Sequence, residues 1–325
     1  MSIISQYKDN PLAGRDFLRM LDLTPEEFRL VLDTAYSEKQ RFAFDPKSAE
    51  REAPYQGKAV SIILEKPSLR TRVSFERAVW RLGAQAVVMS DSTSAFSRDE
   101  SIKDTMMVLE RYVDALVIRS FEQARVEEIA HWASMPVVNA LTDDFHPCQG
   151  LADFFTIEEV FGKLEGLKLA YFGDGANNMA HTYLEGGALA GMHVTIASPK
   201  EYQPVPAYLA EARATALQTG AVLEVTDKIE EALDGADVIV TDAWASMGFE
   251  SEHEQRAALL DAYQVKESFF DLAKPGAVFM HCLPAHRGEE VTDAVMDASY
   301  SCIYQEAENR MHVQQALLLL LLADG

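Results

Sequence analysis

The sequence predicts an α/β protein made of two open parallel-sheet α/β domains, with ligands expected at the carboxyl ends of the strands and in the cleft between the domains. Three observations lead there. Short apolar runs alternate with amphipathic stretches at the spacing of βαβ units, which gives a parallel sheet with helices on its faces. The alternation breaks once, over "DDFHPCQGLADFFTIEEVFG" from Asp143, and then restarts. The 325 residues also exceed what one hydrophobic core ordinarily serves.

Taken in order, "TPEEFRLVLDTAYSEKQ" reads as a capped helix, with Thr24 as N-cap and Glu27 three residues on. "KAVSIIL" is a strand. "RTRVSFERAVWRLG" is a helix that puts Val73, Ala78, Val79 and Leu82 near one face. "QAVVMS" (strand), "SIKDTMMVLERY" (helix), "DALVIRS" (strand), "VEEIAHWAS" (helix) and "PVVNAL" (strand) complete the first half. After the break come the strand "LKLAYFG", the helix "MAHTYLEGGALAG" and the strand "HVTIASP", then the strand-like "ADVIVTDAW" and "AVFMHCLP". The expected domains are residues 1–145 and 146–305, with a last helix over about 306–325 packing back on the first.

Composition narrows the functional classes. The chain is 48% hydrophobic and 25% charged, ordinary for a globular protein. Its three cysteines, Cys148, Cys282 and Cys302, form no CxxC pair, which fits a reduced compartment. The first residues lack the apolar core of a signal peptide, and "ALLLLLLA" is too short to span a bilayer. A cytoplasmic protein without membrane or nucleic-acid partners is expected. The net charge of -22 disfavours phosphate backbones, and it makes any local basic cluster informative.

One such cluster is "EKPSLRTRVSFE", where a strand stops and a helix starts. Ser68, Leu69, Arg70 and Thr71 stand at the helix N-terminus, where unpaired backbone N–H groups and the macrodipole favour an anion. A solvated helix face paired to Glu65 and Glu76 is the alternative. In "HPCQ", His146 could donate to a carbonyl or phosphoryl oxygen, or simply cap a helix that follows. "FGDGANNMAH" imitates a dinucleotide fingerprint, but Asn178 replaces the third glycine. Ala197, Ser198 and Pro199 stand where an acidic residue should bind ribose. A small polar ligand suits Asn178 better than a nicotinamide cofactor. In "TDAWASMG", Asp242 at a strand's carboxyl end could bind an amine or cap a turn. "HCLPAHRG" offers Cys282, His281 and His286 but no standard structural metal set, so no metal is expected. Arg310, in "EAENRMH", could serve a ligand or pair with Glu306.

Assembled in order, these segments resemble the aspartate/ornithine carbamoyltransferase family, and its ornithine branch in particular. The resemblance spans nearly the whole chain and rests on "SLRTRVSFE", "DALVIRSF", "DDFHPCQGLAD", "YFGDGANNMAH", "TDAWASMG", "HCLPAHRGEEVTD" and "EAENRMH". It implies transfer of the carbamoyl group from carbamoyl phosphate to the δ-amine of L-ornithine, giving L-citrulline and phosphate, with no cofactor. It implies that Ser68, Leu69, Arg70, Thr71, Arg119, His146, Pro147, Cys148, Gln149, Cys282, Leu283 and Arg310 bind carbamoyl phosphate. Among them Arg70, Arg119, His146 and Cys282 would be catalytic. Asn178, Asp242, Ser246 and Met247 would bind ornithine, and the bond before Pro284 would be cis. A cytoplasmic homotrimer with shared active sites is implied as well, the loop around 92–100 reaching across. Three positions depart from the family pattern: Leu69 stands where Thr is usual, Ala95 where Gln is, and Ser97 where Gly is. The phosphate would lose one or two hydrogen bonds of about 1 kcal/mol each, with Arg98 as a possible substitute. Transfer to a modified ornithine or to putrescine, and a catalytically weak sensor of carbamoyl phosphate, are the rival readings.

Overall fold

A computed structural model describes residues 10–90, 100–244 and 253–323. They divide into two compact units. One holds the described residues up to Leu151 together with those from Arg310 onward; the other is Ala152–Asn309. The boundaries fall inside two helices rather than in linkers.

In the first unit β1 (Ala59–Leu64), β2 (Gln85–Ser90), β3 (Ala115–Arg119) and β4 (Val137–Leu141) form a wholly parallel sheet in the order β2-β1-β3-β4. The strands carry near-continuous apolar runs because both faces are covered. Ile63, Leu116, Ile118 and Val137 pack on Met106, Val126 and Ile129 from the helices α3 (Ile102–Leu109) and α4 (Gln123–Trp132). α1 (Pro25–Phe44) starts as the sequence indicates. Thr24 Oγ1 accepts from Glu27 N at 3.2 Å, and Glu27 Oε2 accepts from Thr24 N at 2.9 Å.

α2 (Leu69–Arg81) corrects one expectation. Val73 is 51% exposed, while Phe75, Ala78, Val79 and Leu82 are fully buried. Positions 75, 78, 79 and 82 repeat at the helical spacing, and residue 73 lies about 200° round from residue 75. In "HPCQ" only His146 precedes a helix: α5 (Pro147–Phe161) begins at Pro147, and Cys148 and Gln149 form its first turn.

The second unit holds β5 (Lys168–Phe172), β6 (His193–Ala197), β7 (Val222–Thr226), β8 (Val238–Thr241) and β9 (Val278–Met280), again all parallel, in the order β7-β6-β5-β8-β9. Its helices include α6 (Asn178–Ala190), α7 (Pro206–Thr219) and α8 (Ile229–Leu233). The last helix, α9 (Ile303–Leu321), begins slightly before the expected start, and from Arg310 onward it belongs to the first unit. There Tyr55 Oη donates to Leu319 O at 2.5 Å, Lys58 Nζ to Leu322 O at 2.9 Å, and Gly14 N to Leu321 O at 2.9 Å. The apolar run Leu317–Leu322 is thus a buried helix end. Among the described residues no helix is long and apolar enough to cross a membrane.

Strand order decides where ligands can bind. In the first sheet the chain leaves β1 toward β2 and returns to its other side as β3. In the second it winds β5-β6-β7 and then returns to the other side of β5 as β8. Open parallel sheets bind ligands beyond the strand carboxyl ends at such switch points. Those positions are residues 65–71 with Arg119, and residues 173–178 with Asp242.

Candidate active site

In the first unit the switch point is a cradle of positive charge. Ser68 caps α2: its Oγ accepts from Thr71 N at 3.3 Å and donates to Thr71 Oγ1 at 3.0 Å. The remaining N–H groups of the first turn lie at the positive end of the helix dipole, a few residues after β1 ends. Leu69 is 77% exposed. Its leucine side chain therefore has no core role, and its backbone alone belongs to the turn. Arg70 is half-buried and makes no hydrogen bond or ion pair among the described residues.

Buried groups back this turn. Arg310 is almost fully buried. Its Nη2 donates to Thr71 Oγ1 at 3.2 Å, and its Nη1 donates to Gln149 Oε1 and lies 3.4 Å from His146 Nε2. His146 precedes α5 and caps it with its carbonyl, which accepts from Gln149 N at 3.0 Å and Gly150 N at 3.1 Å. Burial, and then the charges of Arg310, Arg119 and Arg70, hold the imidazole well below its ordinary pKa of 6.5. It is therefore neutral. A nitrogen facing a guanidinium donor must accept, so the hydrogen-bond network assigns the ring proton to Nδ1. Arg119 ends β3, half-buried. Cys148 turns its thiol to Asn139 O at 3.4 Å, and burial pushes it up to about 12, so it is an inert group here.

In the second unit Asp242 follows β8 and is shared by three donors. Its Oδ1 accepts from Cys282 Sγ at 3.2 Å and from Ala243 N at 2.8 Å, and its Oδ2 accepts from Asn177 Nδ2 at 3.3 Å. Burial, and then the charges of Asp242 and Glu306, raise the Cys282 thiol well above its ordinary value. Cys282 is thus a thiol that donates, not a thiolate nucleophile. Leu283 has φ 58 and is joined to Pro284 by a cis bond. Its N–H donates to His281 Nδ1 at 2.9 Å, and His281 Nε2 lies 3.2 Å from Glu290 Oε1. His281 N donates to Glu306 Oε2 at 2.9 Å. Asn178 opens α6 directly behind the cap residue Asn177, whose Oδ1 accepts from Ala180 N at 3.0 Å. Gly175, in the turn before it, has no room for a side chain: a Cβ there would stand 2.7 Å from Ser198 Oγ and from Tyr202 O. Asp242, His281 and Cys282 also lie close enough to share a cation, but each is already hydrogen-bonded within this network.

Ser246 and Met247 lie outside the described residues, as do Ala95, Ser97 and Arg98. Sequence reasoning missed Asn177 and Glu290, and it offered Glu306 to Arg310 although the carboxylate accepts from His281 N. Only Asn177 left a signal, a helix-capping residue beside a strand end. The two carboxylates are recognised by their burial around His281, which no local pattern displays.

Two family models match the chain. The carbamoyl-P binding domain of aspartate/ornithine carbamoyltransferase matches residues 15–159, and the Asp/Orn binding domain matches residues 165–321. The chain belongs to the aspartate/ornithine carbamoyltransferase family. Within this carbamoyltransferase family it is 50% identical over 311 residues to the ornithine carbamoyltransferase of Anoxybacillus flavithermus, covering 96% of this chain and 98% of that one. It is 48% identical over 314 residues to that of Hyperthermus butylicus, covering 96% and 99%. Among solved structures, ornithine carbamoyltransferase from Pyrococcus furiosus superposes with a TM-score of 0.89 at 42% identity, covering 96% of this chain and 98% of that one. The enzyme from Gloeobacter violaceus gives 0.84 at 42% identity, covering 95% and 99%. The carbamoyltransferase cradle draws on both matched segments, since Arg310 lies within 165–321 and its partners Thr71, His146 and Gln149 within 15–159.

Proposed function

We propose that this chain transfers the carbamoyl group of carbamoyl phosphate to the δ-amine of L-ornithine, releasing L-citrulline and phosphate. The observation that carries the reading is the first-unit cradle, where Arg310 is buried against Thr71, Gln149 and neutral His146 beside the capped N-terminus of α2. An anion bearing a carbonyl suits it. Ser68, the backbone of Leu69, Arg70, Thr71, Arg119 and Arg310 hold the phosphate. His146 and Gln149 address the carbamoyl group, with Pro147 and Cys148 shaping the turn between them. The family resemblance assigns Cys282 and Leu283 to carbamoyl phosphate as well. Asn178, Asp242, Ser246 and Met247 hold the α-amino and α-carboxylate groups of ornithine.

The neutral δ-amine attacks the carbonyl carbon. A C–N bond forms, negative charge grows on the oxygen, and the C–O bond to phosphate then breaks. Arginine forks, Thr71 and a neutral His146 N–H oppose that charge without reorganising, and each aimed donor is worth several kcal/mol. The departing phosphate can take the amine proton. Free ornithine is protonated at its δ-amine near neutrality, as lysine is, so the site must favour the neutral form. The Cys282 thiol, held by Asp242, is the neighbour suited to it. Holding both substrates in register supplies much of the remaining gain. No cofactor enters this scheme. We further propose a cytoplasmic homotrimer whose loop around residues 92–100 completes the neighbouring subunit's site.

The test is citrulline formation with ornithine, run beside acetylornithine, succinylornithine and putrescine. Turnover with ornithine alone is expected, and Arg70→Ala should reduce it by about a hundredfold or more. Turnover only with another amine would overturn the amino-acid side of the reading. A folded protein that binds carbamoyl phosphate and turns over none of the four amines would overturn the activity.

A further inference from the structure

Beyond Cys282 the chain turns through residues 286–291, and this turn is pinned at its backbone. Glu289 N donates to His286 O at 2.9 Å and Gly288 N to Val291 O at 2.8 Å. Gln264 Nε2 donates to the carbonyls of Gly288 at 2.9 Å and Glu289 at 2.8 Å, and Val265 N donates to Glu290 O at 2.9 Å. The adjacent guanidinium of Arg287 is engaged by Asp293 and Asp297. Three metal-ligating side chains converge on this fixed frame. His286 Nδ1 lies 3.9 Å from Glu289 Oε2 and 3.8 Å from Glu290 Oε2, with the first two side chains 44% and 38% exposed and Glu290 fully buried.

Glu290 is the informative member. Its Oε1 accepts from His286 N at 2.6 Å and lies 3.2 Å from His281 Nε2. Its Oε2 is buried and has no hydrogen-bond partner among the described residues, a costly arrangement for a carboxylate. Separations of 3.8 and 3.9 Å are beyond hydrogen-bond reach. They suit two ligands bound to one cation, which stand about 3 to 4 Å apart when each lies about 2.1 Å from it.

We infer that His286, Glu289 and Glu290 form a binding site for a divalent transition-metal cation of the zinc type, with the open side left to water. An imidazole nitrogen with two carboxylates matches that class, whereas calcium and magnesium take oxygen ligands throughout. The site adjoins the machinery without being part of it. Glu290 Oε1 contacts His281, and His281 Nδ1 holds the N–H of Leu283, so the cation is two side chains from the Cys282 segment.

Calorimetric titration of the chelator-treated full chain with Zn²⁺, and with Co²⁺ for its absorption bands, tests this. The Cys282→Ser background removes the thiol of the neighbouring Asp242, His281 and Cys282 group. One cation per chain is expected in that background. His286→Asn and Glu289→Gln should each weaken binding by more than about tenfold, while metal-free urea unfolding stays as in the parent. No binding in the Cys282→Ser chain, or unchanged affinity in either further variant, overturns the site.

Discussion

His146 and Arg310 approach to 3.4 Å, and their surroundings decide the charge of the imidazole. Burial dominates, three arginines reinforce it, and the folded state disfavours a protonated ring. The consequence for stability has a definite sign. The folded pKa is depressed, so between that value and 6.5 the unfolded chain binds a proton that the folded chain does not. Stability is fully present above about pH 6.5 and is lost as pH falls. Unfolding free energies measured from pH 7.5 down to 5.5 should decline, and His146→Gln should remove up to one proton's share, about 1.4 kcal/mol per pH unit. An identical slope in the variant would exclude His146 as its source. Legibility also varied residue by residue. Ser68, Arg70, Thr71 and Asp242 were readable because a strand end and a helix start lie next to them in sequence. Arg310 was not readable from its neighbours, which suggested Glu306 as its partner. Its bonds run to residues 161 and 239 positions away, and only the tertiary fold, or the family resemblance, connects them.

Elements were legible in proportion to how completely they are buried. β1, β3, β5 and β8 are central strands with almost every residue inside, and their apolar runs stand out. β7 leaves no signal in the sequence. It is an edge strand in which Val222 and Glu224 are exposed and only Leu223 is buried, so it shows neither a run nor a clear alternation. The helix α6 carries a testable tight fit. Gly186 sits in its buried interior, and a Cβ there would overlap the ring of Phe154, itself fully buried. Gly→Ala normally favours a helix by about 1 kcal/mol, but overpacking a ring that cannot swing out costs about 1 to 3 kcal/mol. The clash wins. Gly186→Ala should lower the urea unfolding midpoint, and a stabilised variant would show that the ring yields at little cost.

On the scale of the whole molecule, the chain closes two separate parallel sheets, each with its own switch point, and the sequence showed both through one break in the strand–helix rhythm. The proposed trimer belongs to this scale. Light scattering on the purified protein should return three times the 36.1 kDa chain mass, and a monomer would remove the shared-site reading. The path of α9 has a consequence for biosynthesis. The first unit opens the chain yet needs the residues from Arg310 onward, whereas the second lies wholly within Ala152–Asn309. On a ribosome working from the N-terminus, the unit begun second is therefore the first whose residues are all synthesised. Domains generally mature in the order they are made. Here that order is inverted, and the half-made first unit must wait, with the places for Leu317–Leu322 unfilled, until translation passes the second.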